Sequence, residues 1–220
     1  MLVVSGITLA LAYLLGSIPF GLLIARARGV DLRKTGSGNI GATNVTRILG
    51  KKLGVVCFIL DACKCLLPSV LTLLLVQPRF LEAGHRELTF HWLWLITGCA
   101  AILGHVFPIY IGFRGGKGVA TSFGVALGIW PYFTGSALIA IGLWAWVALK
   151  SRYVSLASVI AAIAFPVFLL GSIALVPSWT LDALWPLLII GIAIPAVVVI
   201  RHRKNIKRIM TGSEDKIGTP

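Results

Sequence analysis

The residues best suited to chemistry lie in a glycine-dense stretch, residues 104–118, of an otherwise strongly apolar chain. Four of its glycines stand within a few residues of two cations, Arg114 and Lys117, and His105 lies near its start. Glycine allows the backbone to approach a ligand closely, and a cation attracts an anion. This composition is poor for a membrane span and is typical of a loop that holds a phosphate group.

A second glycine-rich segment, residues 35–47, has the same character and ends in Arg47. Its three glycines allow backbone N–H groups to converge on an anion. From Ala42 to Leu49 the apolar residues recur at helical spacing, and Gly50 follows them. We therefore predict an anion-binding loop that leads into a short helix at the membrane surface.

The other polar side chains of these segments and of the later loops are mostly hydrogen-bond donors. They are the cations Arg47, Lys117, Arg201 and Lys204, the hydroxyls of Ser37, Thr43, Ser151 and Ser155, and the amides of Asn39, Asn44 and Asn205. The carboxylates on the side of the membrane that holds these donors are Asp31, Asp61 near a helix middle, and the terminal Glu214 and Asp215. They give no arrangement typical of paired-carboxylate catalysis, and no Asp is spaced from His105 as a Ser-His-Asp triad would need. The Gly115–Gly118 run also lacks the strand, the spacing and the Ser or Thr of a P-loop. A site of this kind binds anions and stabilises developing negative charge, but it abstracts protons poorly.

Asp61 and Lys64 form an ionisable pair inside an apolar segment, three residues apart on one helical face. Charges in a span are costly and face a bundle interior or a polar cavity. Two interpretations remain open: a structural ion pair that fixes helix packing, or a pair that lines the site. The four cysteines lack metal-ligand spacing, so no metal site is expected.

Composition places these segments in a membrane protein. Of the 220 residues, 58% are apolar and 12% are charged, and the mean hydropathy is +0.95. A soluble core of this size would need a polar shell. The sequence therefore predicts one domain, residues 1–220, built as an all-α bundle of about seven transmembrane helices with a basic tail at 201–220. The net charge of +13 indicates anionic partners, either lipid headgroups or anionic substrates, rather than nucleic acid.

The predicted spans are about 2–25, 53–76, 92–111, 119–130, 133–149, 154–176 and 184–200, with a polar connector at 77–91. Segments 119–130 and 133–149 form either two helices of a hairpin or a re-entrant element, because the first is short for a crossing. Loops alternate sides, and 17 of the 20 lysines and arginines fall on one side, against Arg79 and Arg86 on the other. Because positive charge gathers in the cytoplasm, we expect the N-terminus outside, in the periplasm, and the C-terminus in the cytoplasm.

Six short motifs carry a resemblance to a known family. They are the run from Gly36 to Arg47, Asp61 with Lys64, Gly104–Pro108, Gly115–Thr121, Ser151–Ser155 and Arg201–Ile206. Together they resemble the bacterial acyl-phosphate:glycerol-3-phosphate acyltransferase family over nearly the whole chain. Two features depart from the family pattern: Cys65 stands where glycine is expected, and the 77–91 connector is long.

The resemblance implies an integral enzyme of the bacterial inner membrane, with seven spans and an active site on the cytoplasmic face. It would transfer a fatty acyl group from acyl phosphate to the sn-1 hydroxyl of glycerol 3-phosphate, giving 1-acylglycerol 3-phosphate and phosphate, the first acylation of phospholipid biosynthesis. No cofactor and no obligate protein partner are expected, and the chain contacts membrane lipids. Two alternatives remain: a phosphate or organic-anion transporter, which would need an internal repeat and mid-membrane cations, and a lipid-binding scaffold, which would not need the glycine motifs.

Roles follow for the residues in these motifs. The expected catalytic set is His105, Lys117 and Ser155. Substrate binding is expected from Ser37, Gly38, Asn39, Gly41, Thr43, Asn44, Arg47, Lys64, Gly115, Gly116, Gly118, Ser151, His202 and Asn205. Within these sets, the residues expected to grip the glycerol phosphate are Arg47, Lys117, His202 and Asn205. The glycine loops, with Ser37 and Ser155, would hold the acyl phosphate and its developing oxyanion.

The attacking hydroxyl must lose a proton in such a reaction. His105 has a suitable unperturbed pKa, and the departing phosphate is the other acceptor. The shortage of carboxylates favours the phosphate, which would make the chemistry substrate-assisted.

Overall fold

The computed structural model describes residues 2–217, and every regular element within that range is helical. Eleven α-helices follow one another there: α1 (Leu2–Gly16), α2 (Phe20–Arg26), α3 (Ala42–Leu49), α4 (Lys51–Leu71), α5 (Gln77–Glu82), α6 (Glu87–Val106), α7 (Val119–Gly128), α8 (Thr134–Ser151), α9 (Val154–Leu175), α10 (Leu181–Arg201) and α11 (Arg203–Met210). Residues 1 and 218–220, the ends of the predicted domain and basic tail, lie outside this range. The all-α fold is confirmed, whereas the assignment of the chain to one domain stays a prediction.

Six segments of the described range are long and apolar enough to cross a membrane: Val3–Arg26, Lys51–Glu82, Glu87–Ile111, Thr134–Ser151, Val154–Leu175 and Leu181–Arg201. The remaining predicted span is α7, an apolar helix of 10 residues. A helix that crosses a bilayer alone needs about 20 residues, so α7 is short for a crossing. The prediction of a membrane bundle with about seven apolar helices is confirmed, and the orientation of the termini stays a prediction.

Helix α7 packs against α4, and α8 packs along α9. A side chain at Gly124 of α7 would overlap the backbone of Ala62 in α4, so the two helices meet backbone to backbone there. Close contact of this kind through small residues is typical of helices in membranes. The segment 119–149 therefore contains two separate helices, each held mainly by another part of the bundle.

The first apolar segment is broken between α1 and α2, at Ser17–Pro19, where the sequence is loosened by small residues and proline. Proline lacks the N–H that a continuous helix needs at this point. A side chain at Gly16 would overlap the backbone of Ala101, so α1 lies directly on α6. The break leaves the carbonyl of Ile18 accessible to a side chain from another helix.

The predicted polar connector at 77–91 is largely helical, and only residues 83–86 lie between its two helices, α5 and α6. Helix α4 continues through a π-helical turn, Thr72–Val76, into α5, and α6 already begins at Glu87. Phe80 of α5 is 4% exposed and its ring centroid lies 6.2 Å from that of Phe90 in α6. This packing stabilises helical turns that the polar composition alone does not favour.

The short helix predicted at Ala42–Leu49 is confirmed as α3, which ends at Gly50 with a φ of +90°. Its position at the membrane surface stays a prediction. The helix lies on α4, because a side chain at Gly54 would overlap Thr46. Together α3 and α4 bring the first glycine-rich segment against the end of the bundle.

The segments that carry most of the charge meet at one end of the bundle, here called the polar end and made up of residues 26–51, 107–118, 151–154 and 201–217. Arg33 Nη2 donates to the carbonyls of Ile111 and Arg114 at 3.0 and 3.1 Å, which joins the first two segments. Arg152 Nη2 donates to the carbonyl of Ile217 at 2.7 Å, which joins the last two. Lys117 Nζ donates to Asn205 Oδ1 at 2.7 Å and so joins these two pairs, which brings together the four polar segments expected on one side of the membrane.

Candidate functional site

The first glycine-rich segment is organised by the buried side chain of Asn44. Asn44 Oδ1 accepts the Ser37 N–H at 3.0 Å. Asn44 Nδ2 donates to the carbonyls of Leu32, Thr35 and Asn39 at 3.3, 3.1 and 2.9 Å. Both amide hydrogens are thus used within the loop, so Asn44 holds the loop in shape rather than presenting a free donor to a ligand.

Glycines allow this loop to fold tightly around Asn44. Gly36 and Gly38 have φ angles of +56° and +68°, in the left-handed region that other residues avoid. Asn39 Oδ1 accepts the Gly41 N–H at 2.8 Å, next to the start of α3. The side chains of Ser37 and Thr43 remain exposed at the polar end, where a ligand can reach them.

Asp61, Lys64 and His105 form a buried group beneath the polar end, here called the buried trio. Lys64 Nζ lies 2.8 Å from Asp61 Oδ1, 3.1 Å from His105 Nδ1 and 2.7 Å from the Ile18 carbonyl. The ammonium group therefore has an ion-pair partner in Asp61 and hydrogen-bond contacts with His105 and the Ile18 carbonyl. Lys64 is thus committed inside the bundle, which supports the structural interpretation of the Asp61–Lys64 pair.

The contact with Lys64 also determines which nitrogen of His105 carries hydrogen. With Lys64 as an ammonium group, which can only donate, the tautomer assigned to His105 has Nδ1 as the acceptor and the ring hydrogen on Nε2. Nε2 is the ring atom nearest to the Cβ position of Gly116. His105 therefore links the buried trio to the second glycine-rich segment, and its free nitrogen is a hydrogen-bond donor rather than a base.

Gly115 and Gly116 allow the second segment to lie against the end of α6. Their N–H groups donate to the carbonyls of Val106 and His105, both at 3.1 Å. A side chain at Gly115 would overlap the His105 carbonyl, and one at Gly116 would overlap the His105 ring. Arg201 Nη2 donates to the carbonyls of both glycines at 3.3 and 3.1 Å. These two amides are used for packing in this state, whereas Gly118, with a φ of +89°, turns the chain into α7.

Lys117 projects from this packed segment towards the tail. Its Nζ donates to Asn205 Oδ1 at 2.7 Å. Burial lowers the pKa of Lys117 to about 8; Glu214 partly opposes this effect, while Arg208, Arg201 and Arg47 add to it. The side chain therefore stays mostly charged at neutral pH and retains two hydrogens for an anion.

Glu214 ties three site residues together and was not singled out by the sequence. Its carboxylate accepts hydrogen bonds from Ser155 Oγ at 2.7 Å, Asn205 Nδ2 at 2.6 Å and Arg208 Nε at 2.6 Å. Burial raises the pKa of Glu214, but the hydrogen bonds from Asn205, Ser155 and Arg208 outweigh it and lower the pKa. The carboxylate is therefore ionised and fully engaged. A Glu-Asp pair at the end of a basic tail was the only sequence signal for this role.

The three remaining predicted residues lie around this cluster. Arg47 Nη1 lies 3.0 Å from Asp215 Oδ2, so the tail also reaches the first glycine-rich segment. Ser151 Oγ donates to the Val147 carbonyl at 2.7 Å and accepts the Tyr153 N–H at 3.1 Å, so Ser151 holds the turn between α8 and α9.

His202 is 3% exposed, and its Nδ1 lies 2.8 Å from the Val198 carbonyl. A carbonyl only accepts, so Nδ1 carries the hydrogen and Nε2 keeps a lone pair. Burial lowers the pKa of His202 to about 4, despite the hydrogen bond to Val198. His202 is therefore neutral at physiological pH and contributes no positive charge to the site.

An apolar groove begins beside this cluster and runs into the bundle between α7, α8, α9 and α10. Its internal volume is about 90 Å³, and its lining includes Val119, Ser158 and Val198 at one end and Phe133, Phe165 and Gly191 further in. Ser158 lies one helical turn from Ser155 on the same face of α9. The cluster of donors thus stands at the mouth of a groove that suits an alkyl chain. Within the described part of the chain, no group of three or more His, Cys, Asp or Glu side chains could hold a metal ion.

The profile of a protein family described as glycerol-3-phosphate acyltransferase matches residues 6–212 of this chain. The chain belongs to the glycerol-3-phosphate acyltransferase family. Glycerol-3-phosphate acyltransferase from Aquifex aeolicus is 43% identical over 205 residues, which cover 93% of this chain and 95% of that protein. The corresponding protein from Geotalea daltonii is 46% identical over 204 residues, covering 93% of each chain.

Solved structures of the family have the same fold. The crystal structure of PlsY (YgiH), an integral membrane glycerol 3-phosphate acyltransferase, in its glycerol 3-phosphate form is 41% identical, with a TM-score of 0.80, and the match covers 98% of this chain and 96% of that one. Its lysophosphatidic acid form is 40% identical, with a TM-score of 0.78 and the same coverage. The family resemblance and the integral membrane fold predicted from the sequence are both confirmed.

Proposed function

We propose that this acyltransferase uses acyl phosphate as donor and acylates the sn-1 hydroxyl of glycerol 3-phosphate, giving 1-acylglycerol 3-phosphate and phosphate. The observation that carries the proposal is that Lys117 and Ser155 lie two and three residues along the chain from Val119 and Ser158, which line the apolar groove, and that Lys117 also donates to Asn205. A site that combines hydrogen-bond donors with an apolar groove suits a reaction between a water-soluble phosphate ester and a lipid-like donor. The forms in which the PlsY relative was crystallised, with glycerol 3-phosphate and with lysophosphatidic acid, support both halves of this arrangement.

A continuous hydrogen-bonded chain prepares the site for a phosphate group. Lys117 donates to Asn205, Asn205 donates to Glu214, and Ser155 donates to the same carboxylate. The donors are therefore held in place before a ligand arrives, which reduces the reorganisation that binding requires. Lys117 and Arg47 then supply the positive charge that the glycerol phosphate needs.

The reaction needs an acceptor for one proton, and neither histidine of the site suits this role. Nδ1 of His105 is occupied by Lys64, and its Nε2 carries hydrogen. His202 has a free lone pair, but with a pKa of about 4 it is a weak base. A phosphate group, whose second pKa is about 6, is a better acceptor near neutral pH.

The donor's own phosphate therefore takes the proton in the proposed mechanism. The sn-1 oxygen of glycerol 3-phosphate attacks the acyl carbonyl carbon, the bond from that carbon to the phosphate oxygen breaks, and the hydroxyl proton leaves with the phosphate. The Lys117 ammonium stabilises the negative charge that develops on the carbonyl and phosphate oxygens. Ser155, held by Glu214, lies at the boundary between the polar cluster and the groove and orients the reacting groups.

The same proposal places the polar end on the cytoplasmic face of the bacterial inner membrane. The glycine-rich segments, the basic tail and most of the lysines and arginines belong to this end, and positive charge gathers on the cytoplasmic side of inner-membrane proteins. A water-soluble phosphate ester made in the cytoplasm would then reach the site directly.

The test is transfer by the purified protein. Labelled glycerol 3-phosphate is mixed with palmitoyl phosphate or with palmitoyl-coenzyme A, and the lipid product is identified by mass spectrometry and its acyl position by NMR. We expect 1-acylglycerol 3-phosphate from palmitoyl phosphate alone, and at least a hundredfold loss in Lys117→Ala. Turnover with the thioester only, or acylation at the sn-2 position, would contradict the proposal.

A further inference from the structure

The apolar groove changes character at its inner end. The rings of Phe133 and Phe165 meet there edge to face, with centroids 5.4 Å apart and an interplanar angle of 83°. Gly191 of α10 lies beside this pair, and a Cβ at Gly191 would stand 3.7 Å from both rings. Two bulky aromatic side chains thus face a residue that has no side chain.

The distance from the donor cluster to this ring pair can be read from two helices. Phe165 follows Ser155 by ten residues in α9, and Gly191 precedes Arg201 by ten residues in α10. At 1.5 Å per residue, both give a depth of about 15 Å. The two helices agree, so the ring pair and Gly191 lie at one level of the groove.

An extended alkyl chain with C–C bonds of about 1.5 Å advances about 1.3 Å per methylene. A chain whose carbonyl carbon lies at Ser155 therefore reaches the ring pair after about 12 carbons. Shorter chains end before the pair. Longer chains must pass beside it at the level of Gly191, where the end of the Leu169 side chain has to move aside, because a Cβ on Gly191 would already overlap it.

We infer that Phe133, Phe165 and Gly191 form a gate that determines how well acyl chains longer than about 12 carbons are accepted. This inference rests on the proposed function, because it takes the occupant of the groove to be the acyl chain of the donor. The lining supports an alkyl chain as the occupant, because it is made of apolar side chains and Gly191 with few polar groups. These polar groups are the hydroxyls of Ser122 and Ser158 and the indole N–H of Trp144. That indole N–H already donates to Ser158 Oγ at 3.1 Å, near the mouth.

Substitutions at the gate act in opposite directions. A side chain at Gly191 narrows the passage; its Cβ would also lie 2.7 Å from Leu169 Cδ2, the mobile end of a leucine. Phe165→Ala removes one ring and widens the passage. Gly171 of α9 offers a matched control, because nothing lies within 4 Å of its Cβ position.

The experiment measures turnover of the wild type, Gly191→Ala, Gly191→Val, Phe165→Ala and Gly171→Val with acyl phosphates of 10, 14, 16 and 18 carbons. In Gly191→Val we expect the ratio of 16-carbon to 10-carbon turnover to fall about tenfold, the effect of misfitting a methylene or more in an apolar pocket. The same ratio in Gly191→Ala should lie between those of the wild type and Gly191→Val. Phe165→Ala should raise the ratio of 18-carbon to 10-carbon turnover, and Gly171→Val should have the chain-length profile of the wild type. The same chain-length profile in all five proteins would overturn the inference.

A second measurement tests the gate without catalysis. Alkyl phosphates of 10 and 16 carbons cannot transfer an acyl group, and their binding is read from the rise in melting temperature of the purified protein. The longer compound should stabilise the wild type more than the shorter one, and Gly191→Val should lose this difference. Wild-type protein that transfers no acyl group at any chain length would refute the proposed function, while equal melting shifts in wild type and Gly191→Val would refute the gate.

Discussion

The ammonium group of Lys64 lies 3.1 Å from Nδ1 of His105, below the segment that carries Lys117. His105 Nδ1 accepts a hydrogen bond from the Lys64 ammonium, as the Ile18 carbonyl also does. His105 is thereby a positioning residue that connects the buried trio to Gly116. The sequence marked His105 as a candidate base, whereas this contact supports a structural role for it.

Replacing His105 tests this assignment. We expect His105→Ala to lower turnover about tenfold to a hundredfold through displacement of the Gly116 segment, without abolishing it. His105→Asn should be more active, because its Oδ1 can accept from Lys64 as Nδ1 does. The rate and its pH profile are measured on purified protein; complete loss in both variants, with the protein correctly folded, would instead favour a histidine base.

Removing one member of the buried pair Asp61–Lys64 should destabilise the protein more than removing both. Both side chains are 3% exposed, and Lys64→Met would leave the Asp61 charge without its partner at a cost of about 3–5 kcal/mol. The double variant Asp61→Asn, Lys64→Met should recover much of this loss. Unfolding of the purified proteins by denaturant gives the comparison, and additive losses in the double variant would show that the two residues do not act together.

The pKa of Lys117 predicts how activity depends on pH. Because burial lowers this pKa to about 8, the charged form is present below pH 8 and is lost as the pH rises through that value. We expect kcat/KM for glycerol 3-phosphate to fall above pH 8, approaching tenfold per pH unit, since this ratio reports ionisation of the free enzyme. Lys117→Arg, whose guanidinium stays charged, should show a flatter profile, and an unchanged decline would point to another group.

Glu214 should be required for an ordered site. Glu214→Ala removes the acceptor of Ser155, Asn205 and Arg208 at once, and we expect a lower melting temperature and about a hundredfold lower turnover. Glu214→Gln keeps one acceptor oxygen, so its melting temperature and turnover should lie between those of the wild type and Glu214→Ala. Glu82→Gln, at an exposed glutamate of α5, is the control. Normal kinetics in Glu214→Ala would show that the tail does not organise the site.

Gly116 should tolerate no side chain. A methyl group there would overlap the His105 ring, so Gly116→Ala must displace either the ring or the segment that carries Lys117. We expect turnover to fall about tenfold to a hundredfold. Gly135→Ala is the matched control, because nothing lies within 4 Å of its Cβ position. Equal activity in the two variants would exclude the close contact as a functional requirement.

Much of the fold could be predicted because a membrane imposes strong local rules. Apolar runs of about 20 residues must form helices in lipid, where unpaired backbone groups are too costly, and α3 was located from helical spacing and its final glycine alone. The connector at 77–91 could not be predicted. Its polar residues carry no signal for the packing of Phe80 on Phe90, which depends on two helices that meet only in three dimensions.

The sequence by itself determined the family, the membrane class and the donors of the site, because residue types and their spacing along the chain carry that information. Only the tertiary structure decided how the donors are used. It showed that Lys64 contacts Asp61 and His105 inside the bundle, and that Gly115 and Gly116 allow their segment to pack closely against His105. It also showed that Glu214 accepts hydrogen bonds from both Ser155 and Asn205. These roles depend on distances between residues far apart in sequence, and a hydrogen bond either forms or fails within a few tenths of an ångström.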